Sequence, residues 1–230
     1  MKVCDSNKAL IVLSGGQDST TCLYWAIQEY GQKNVSAVTF DYGQRHNIEL
    51  ECAAKIARLA GIPHKILPID TFSAIGGDAL TDDEIDVPET APDGELPITF
   101  VPGRNLIFLT FAAAHAYQTG IGNLVTGVAQ TDYSGYPDCR DETLRALEKT
   151  IQLGMEYEIK LHTPLMFLTK AETVRLAQDC GAMGAMAYSH TCYRGEQPPC
   201  GRCPACELRA KGFADAGTPD PLVERFKRVA

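Results

Sequence analysis

ALIVLSGGQDST, residues 9–20, decides the fold. The continuous apolar run from Ala9 to Leu13 reads as a strand buried on both faces, since a strand covered on only one face would alternate. It runs into a Gly-rich turn, after which Cys22, Leu23, Ala26, Ile27 and Tyr30 recur at helical spacing until Gly31. Strand, turn and helix in that order leave unpaired backbone N–H groups at the positive end of a helix dipole, a setting suited to a phosphate. Gly15 and Gly16 permit close backbone approach, and Ser14, Ser19 and Thr20 add hydroxyls without charge. The string contains neither GxGxxG nor a Walker A lysine. For SGG alone, a plain βα turn in which Asp18 or Ser19 merely caps the helix is the competing reading.

Working outward, Val35–Phe40 reads as a second strand, Asn47–Ala60 as a helix stopped by Gly61, and His64–Ile69 as a third strand. Residues 70–97 have no clear period and hold several Gly and Pro, so they form an acidic surface loop or lid. Ile98–Val101 reads as a fourth strand, Asn105–Gln118 as an almost wholly apolar helix and Asn123–Gly127 as a fifth strand. A helix from about Asp141 to Leu153 precedes Ile159–Thr163. Thr169 with Glu172 forms a capping box for a helix ending at Gly181, and Pro204 suits the first turn of a final helix. This alternation implies an α/β fold: a doubly wound, mostly parallel five-stranded, Rossmann-like sheet with a C-terminal helical zinc-binding appendage. The domain expectation is an α/β body over 1–184 and a cysteine-bearing segment with its helix over 185–230.

The chain has 230 residues, 45% apolar and 22% charged, and no stretch resembles a membrane span. Net charge is −8, against a protein built mainly to grip nucleic acid. The acid is concentrated, because Lys65 to Arg104 encloses nine acids and no intervening base; outside that stretch 21 bases face 20 acids. The opening MKVCDSNKAL carries no export-signal pattern, and nine cysteines cannot all pair internally, so a cytoplasmic location with thiols or thiolate ligands is expected.

Cys192, Cys200, Cys203 and Cys206 read C-x7-C-x2-C-x2-C, a spacing that can converge four thiolates on one metal. A closed set of four soft ligands fits one structural Zn2+ per chain. An iron–sulfur cluster is the second choice, and unligated core cysteines the third. Cys4, Cys22, Cys52, Cys139 and Cys180 are scattered, and most read as small core hydrophobes. Cys139, in YPDCRD, is left unassigned.

SGGQDST after an apolar strand resembles the pyrophosphate loop of the N-type ATP pyrophosphatases, which include GMP synthetase and argininosuccinate synthetase. Further strings narrow the likeness: FDYGQRH at 40–46, FVPGRN at 100–105, TDYSGYPDCRDE at 131–142, TPLM at 163–166 and TKAET at 169–173. With the cysteines they span nearly the whole chain, which resembles the QueC family, the 7-cyano-7-deazaguanine synthases of queuosine-precursor biosynthesis.

The resemblance implies an adenine nucleotide alpha-hydrolase-like fold and an ATP-dependent carbon–nitrogen ligase. It would convert 7-carboxy-7-deazaguanine and ammonia through an acyl adenylate and an amide to the nitrile, with ATP and Mg2+ held by Leu13, Ser14, Gly15, Gly16, Gln17, Asp18, Ser19, Thr20, Thr21, Cys22 and Leu23. Asp18, Arg104, Arg140 and Lys170 are the candidate catalytic groups. Arg104, Asn105, Asp132, Tyr133, Tyr136 and Asp138 are the candidate substrate contacts. Small-molecule substrates, no nucleic-acid or membrane partner, and a homodimer are expected. Other readings are a variant that accumulates the amide, a tRNA-thiolation-type ATP pyrophosphatase and a zinc-organised binding module. One departure bears on the first: the family string TGVCETDFSG stands here as TGVAQTDYSG, so Ala129 and Gln130 replace a thiol and a carboxylate.

Overall fold

The run from Ala9 to Leu13 lies at the centre of a five-stranded sheet in the computed structural model, which describes residues 4–44, 47–75, 98–130 and 136–228. The strands are β1 Asp5–Val12, β2 Val35–Asp41, β3 His64–Pro68, β4 Ile121–Val125 and β5 Lys160–His162. All pair in parallel, in the order β3-β2-β1-β4-β5. The helices are α1 Gln17–Tyr30, α2 Ile48–Ala60, α3 Thr71–Ile75, α4 Arg104–Thr119, α5 Asp141–Met155, α6 Lys170–Asp179, α7 Met183–Met186, α8 Pro204–Asp215 and α9 Pro221–Lys227.

Successive residues of β1 and β2 feed opposite faces, which is why their sequence looks uniformly apolar. Leu10, Val38, Phe40 and Leu124 pack with Leu109, Ala112 and Ala116 of α4 and Leu144 of α5. Ala9, Ile11, Val35, Ala37 and Val125 pack with Leu23 and Ala26 of α1 and Ala53, Ile56 and Ala57 of α2. Each fully buried aliphatic side chain contributes roughly 1.5–3 kcal/mol by leaving water, so both layers are held by side chains from the central strands.

The expected strand at Ile98–Val101 does not form. Residues 98–99 are a turn, and Val101 accepts the Arg104 N–H at 3.1 Å in the Pro102–Gly103 turn that launches α4. Both neighbour positions of β1 are taken by β2 and β4, so Val101 is buried without joining the sheet, while Ile98 stays exposed. The fifth strand is β5, inside the 159–163 segment. The capping box at Thr169 and Glu172 forms as expected, with both reciprocal bonds present. Within the expected 70–97 loop, Thr71–Ile75 instead forms the short helix α3, and residues 76–97 lie outside the described residues. No helix among the described residues is long and apolar enough to cross a membrane.

The strand order reverses between β1 and β4, so the helices that follow these strands diverge and leave a crevice at their carboxyl ends. The Ser14–Thr20 loop follows β1 at that point.

Candidate active site

Two glycines shape the loop. Gly15 has φ +81°, and a Cβ there would lie 2.5 Å from the Glu49 carbonyl oxygen and 2.8 Å from the Ala53 nitrogen, both on α2. A Cβ at Gly127, just past β4, would lie 2.8 Å from the Ser19 nitrogen. Backbone thus closes on the loop from both sides. Within it, Ser14 Oγ and Ser19 Oγ are 3.0 Å apart, Ser14 N–H donates to Ser19 Oγ at 3.2 Å, and Thr20 Oγ1 donates to the Gly16 carbonyl at 2.7 Å.

No side chain caps α1, which removes the reading of Asp18 or Ser19 as a mere helix cap and leaves the first-turn N–H groups open. Asp18 Oδ2 instead accepts from Lys170 Nζ at 2.7 Å, while Oδ1 is buried without a hydrogen-bond partner. Gln17 is 1% exposed, and both polar atoms of its amide lack a partner. A buried polar group left unpaired costs roughly 1–3 kcal/mol, so three such atoms in one glycine-lined loop fit a site completed by a polar ligand. Lys170 is seated against Gly212 of α8, where a Cβ would come within 2.7 Å of Lys170 Cγ.

A second wall is built from α4, α2 and the 136–139 turn. Arg104, first residue of α4, donates to Tyr42 Oη at 3.4 Å and lies 5.8 Å from that ring's centroid. It also faces Glu49, Tyr136 and Asp138 electrostatically. Glu49 is partly buried, and desolvation pushes its carboxyl up to about 7 despite the opposing pull of Arg104. Asp138, 4% exposed, accepts the Asn105 N–H at 3.0 Å, and Asn105 Nδ2 donates to Cys139 Sγ at 3.2 Å. Tyr136 shares a 2.7 Å hydrogen bond with Thr99, packs 5.5 Å from the Phe100 ring, and is hydrogen bonded to Tyr193.

The structure therefore brings Asp18 to Lys170, and Arg104 close to Tyr136 and Asp138. Arg140 is exposed at the start of α5 and has no ion-pair partner among the described residues. Asp132 and Tyr133 lie outside the described residues. Glu49, Tyr42 and Tyr193 were not singled out from sequence. Tyr42 sits in the quoted FDYGQRH string, whereas nothing in the string IELEC separates Glu49 from the exposed Glu51.

The four thiols of Cys192, Cys200, Cys203 and Cys206 lie within 4.8 Å of one another. Backbone N–H groups point at them: Cys200 N to Cys192 Sγ at 3.5 Å and Cys203 N to Cys200 Sγ at 3.4 Å. Cys203 is pulled down to about 4, first by a hydrogen bond with Cys206 and then by the Cys206 and Tyr193 N–H groups, while Cys206 is pushed up. Four convergent sulfurs with N–H support for thiolate charge fit a metal site. Of the scattered cysteines, Cys22 is buried in the core and Cys4 packs against its edge, whereas Cys52, Cys180 and the unassigned Cys139 are half-buried outside it.

The cysteine segment reaches the loop: His190 N–H donates to the Gly15 carbonyl at 2.8 Å. Arg209, 4% exposed, fixes this connection by donating to Asp220 at 2.6 and 2.8 Å and to Ser189 Oγ at 2.8 Å.

Residues 8–217 match the family model described as Queuosine biosynthesis protein QueC. A 7-cyano-7-deazaguanine synthase of Chromobacterium violaceum is 67% identical, covering 100% of this chain and 99% of its own length. Those of Laribacter hongkongensis and Clostridium botulinum are 65% and 47% identical, covering 98% and 92% of this chain and 98% and 96% of their own lengths. With its parallel sheet, loop at the strand reversal and four-cysteine cluster in place, the chain belongs to the QueC family of queuosine-biosynthesis enzymes.

Proposed function

We propose that this chain converts 7-carboxy-7-deazaguanine and ammonia to 7-cyano-7-deazaguanine at the expense of ATP, through an acyl adenylate and then an amide. The observation that carries the reading is the glycine-lined loop at the strand reversal, with Gln17 and Asp18 Oδ1 buried and unpaired, in a chain of this family. A carboxylate has no good leaving group, and joining it to the α-phosphorus of ATP makes AMP that group. The open N–H groups at the head of α1 and the hydroxyls of Ser14 and Ser19 would hold the departing pyrophosphate. Lys170 orients Asp18 so that its second oxygen faces the nucleotide, where Mg2+ would neutralise phosphate charge. Arg104 supplies positive charge to the α-phosphate from the second wall.

Asn105, Tyr136 and Asp138 form the wall on which the deazaguanine would rest, preorganised by the Asn105 N–H to Asp138 hydrogen bond and by those of Tyr136 to Thr99 and Tyr193. Zn2+ is the metal we assign to the four cysteines: with no open ligand position it would hold the 185–230 segment against a catalytic body spanning 1–184. Small-molecule substrates, a cytoplasmic setting and a homodimer complete the proposal.

The deciding experiment incubates the protein with 7-carboxy-7-deazaguanine, ammonia, ATP and Mg2+ and follows products by mass spectrometry. The nitrile, AMP and pyrophosphate are expected. A reaction that stops at the amide, or the absence of turnover, overturns the assignment.

A further inference from the structure

We propose that Glu49 is the proton acceptor that drives the nitrile-forming half of the reaction, a role that rests on the function proposed above. Three independent placements carry it. Glu49 belongs to the wall of the phosphate loop, since its own carbonyl oxygen occupies the space a Gly15 side chain would need, 2.5 Å from that Cβ position. Its carboxylate faces Arg104, the cation at the start of α4. It has neither a hydrogen bond nor an ion pair among the described residues, whereas the neighbouring carboxylates are engaged: Asp18 by Lys170 at 2.7 Å and Asp138 by the Asn105 N–H at 3.0 Å. A partly buried carboxylate on the helix that borders the phosphate loop, facing Arg104 and with no partner among the described residues, is placed to take a proton.

The chemistry needs such a group. When the amide oxygen attacks the α-phosphorus, pyrophosphate leaves and the product is a cationic imidate in which carbon carries OAMP and a C=NH2+ group. Water takes the first proton, giving the neutral imidate with one N–H. The Glu49 carboxylate then accepts the second proton. The electrons of that N–H bond become the third carbon–nitrogen bond, and the C–O bond breaks with its pair passing to the phosphate oxygen of AMP. The products are nitrile, AMP and a Glu49 carboxylic acid that returns its proton to water; no oxidant or reductant is involved.

Burial raises the Glu49 carboxyl to about 7, so it accepts and releases a proton near neutrality. Among the described residues, the other charged or titratable groups around it are Arg104 on α4, Cys52 and the exposed Glu51 on its own helix, and Arg225 of α9 and Arg209 of α8 beyond Cys52. Gln130, which stands where the family string has glutamate, takes no proton, so a base elsewhere is required.

The test uses the full-length protein with 7-amido-7-deazaguanine and ATP, measuring nitrile formation over a pH series and, separately, ATP–pyrophosphate exchange as the readout of adenylation. Glu49→Gln is expected to lower nitrile formation at least about 100-fold and to abolish the limb that rises with pH through about 7, with exchange retained within about threefold. Glu49→Asp keeps the limb and part of the rate. Exchange and nitrile formation falling together would assign Glu49 to holding the loop and overturn the proposal. So would a Glu49→Gln variant with the wild-type rate and limb. A wild-type protein that makes no nitrile from the amide overturns the functional reading itself, an outcome distinct from the other two.

Discussion

Glu49→Gln should make the protein more stable as well as less active, and only on one side of neutrality. The native carboxyl is raised from 4.5 to about 7 by desolvation, with Arg104 offsetting part of the shift. A group whose native pKa lies above its unfolded value favours folding fully below the unfolded value, and that advantage is lost as pH rises through the native one. Wild-type stability relative to an uncharged isostere therefore falls between pH 4.5 and about 7 and is level above that. The shift sets a ceiling of about 3 kcal/mol, which partial water access reduces to roughly 1–2 kcal/mol. At about 2–4 °C per kcal/mol for a chain of this size, Glu49→Gln should melt about 3–6 °C above wild type at pH 8, and the gap should shrink to about a quarter at pH 5. Thermal melts of both proteins at the two pH values decide it. A gap that is the same at both, or a less stable variant at pH 8, would show that the carboxylate is paired in the native protein and remove the reason for treating it as a free base.

Gly15→Ala should weaken ATP binding by at least about tenfold in calorimetry, because φ +81° and the 2.5 Å approach of the Glu49 carbonyl exclude a side chain; unchanged affinity would mean the loop is not the nucleotide cradle. Elemental analysis should give one zinc per chain. Cys203→Ser should lose the metal and lower the melting temperature, whereas a visible iron–sulfur spectrum would replace zinc with the second choice. Arg209→Met should destabilise by about 3–5 kcal/mol in urea denaturation by leaving the Asp220 carboxylate without its counter-ion, and adding Asp220→Leu should recover only part of the loss, because Asp220 Oδ1 also caps α9 through the Leu222 N–H. The Ala129→Cys/Gln130→Glu double variant should convert amide to nitrile at the wild-type rate, since Gln130 Oε1 accepts the Asp141 N–H of α5 at 3.0 Å and a glutamate oxygen would do the same; faster conversion would show that a missing carboxylate limits this chain.

The central strands were legible because burial on both faces leaves only one kind of residue, and the Ala9–Leu13 run carries that signature. Thr169 and Glu172 were legible because a capping box is a local device whose two bonds depend on nothing distant. Ile98–Val101 misled for the complementary reason: four apolar or β-branched residues announce burial, and only the occupancy of β1's two neighbours decides against a strand. At the site, the loop was readable because its glycines and hydroxyls are consecutive. Glu49 was not, since its environment comes from Gly15 and Arg104, 34 and 55 positions away in a sequence that gives Glu49 and Glu51 the same appearance.

The cysteine segment has a task that a free-standing stabiliser would not need. Three contacts run from beyond residue 184 into the two walls of the crevice: the His190 N–H holds the Gly15 carbonyl at 2.8 Å, Tyr193 is hydrogen bonded to Tyr136, and Gly212 leaves the groove in which Lys170 reaches Asp18. Tyr193 follows Cys192 directly, and its own N–H supports the Cys203 sulfur, so the position of its ring is tied to the position of the thiolates. The residues on the far side of these contacts, Gly15, Lys170 and Tyr136, are the ones that shape the loop, orient its aspartate and border Arg104. A metal closed on the four thiolates, as proposed, would therefore fix more than the tail: it would hold the Gly15 loop and the Arg104 wall in register, the two surfaces between which the proposed nucleotide and second substrate would meet.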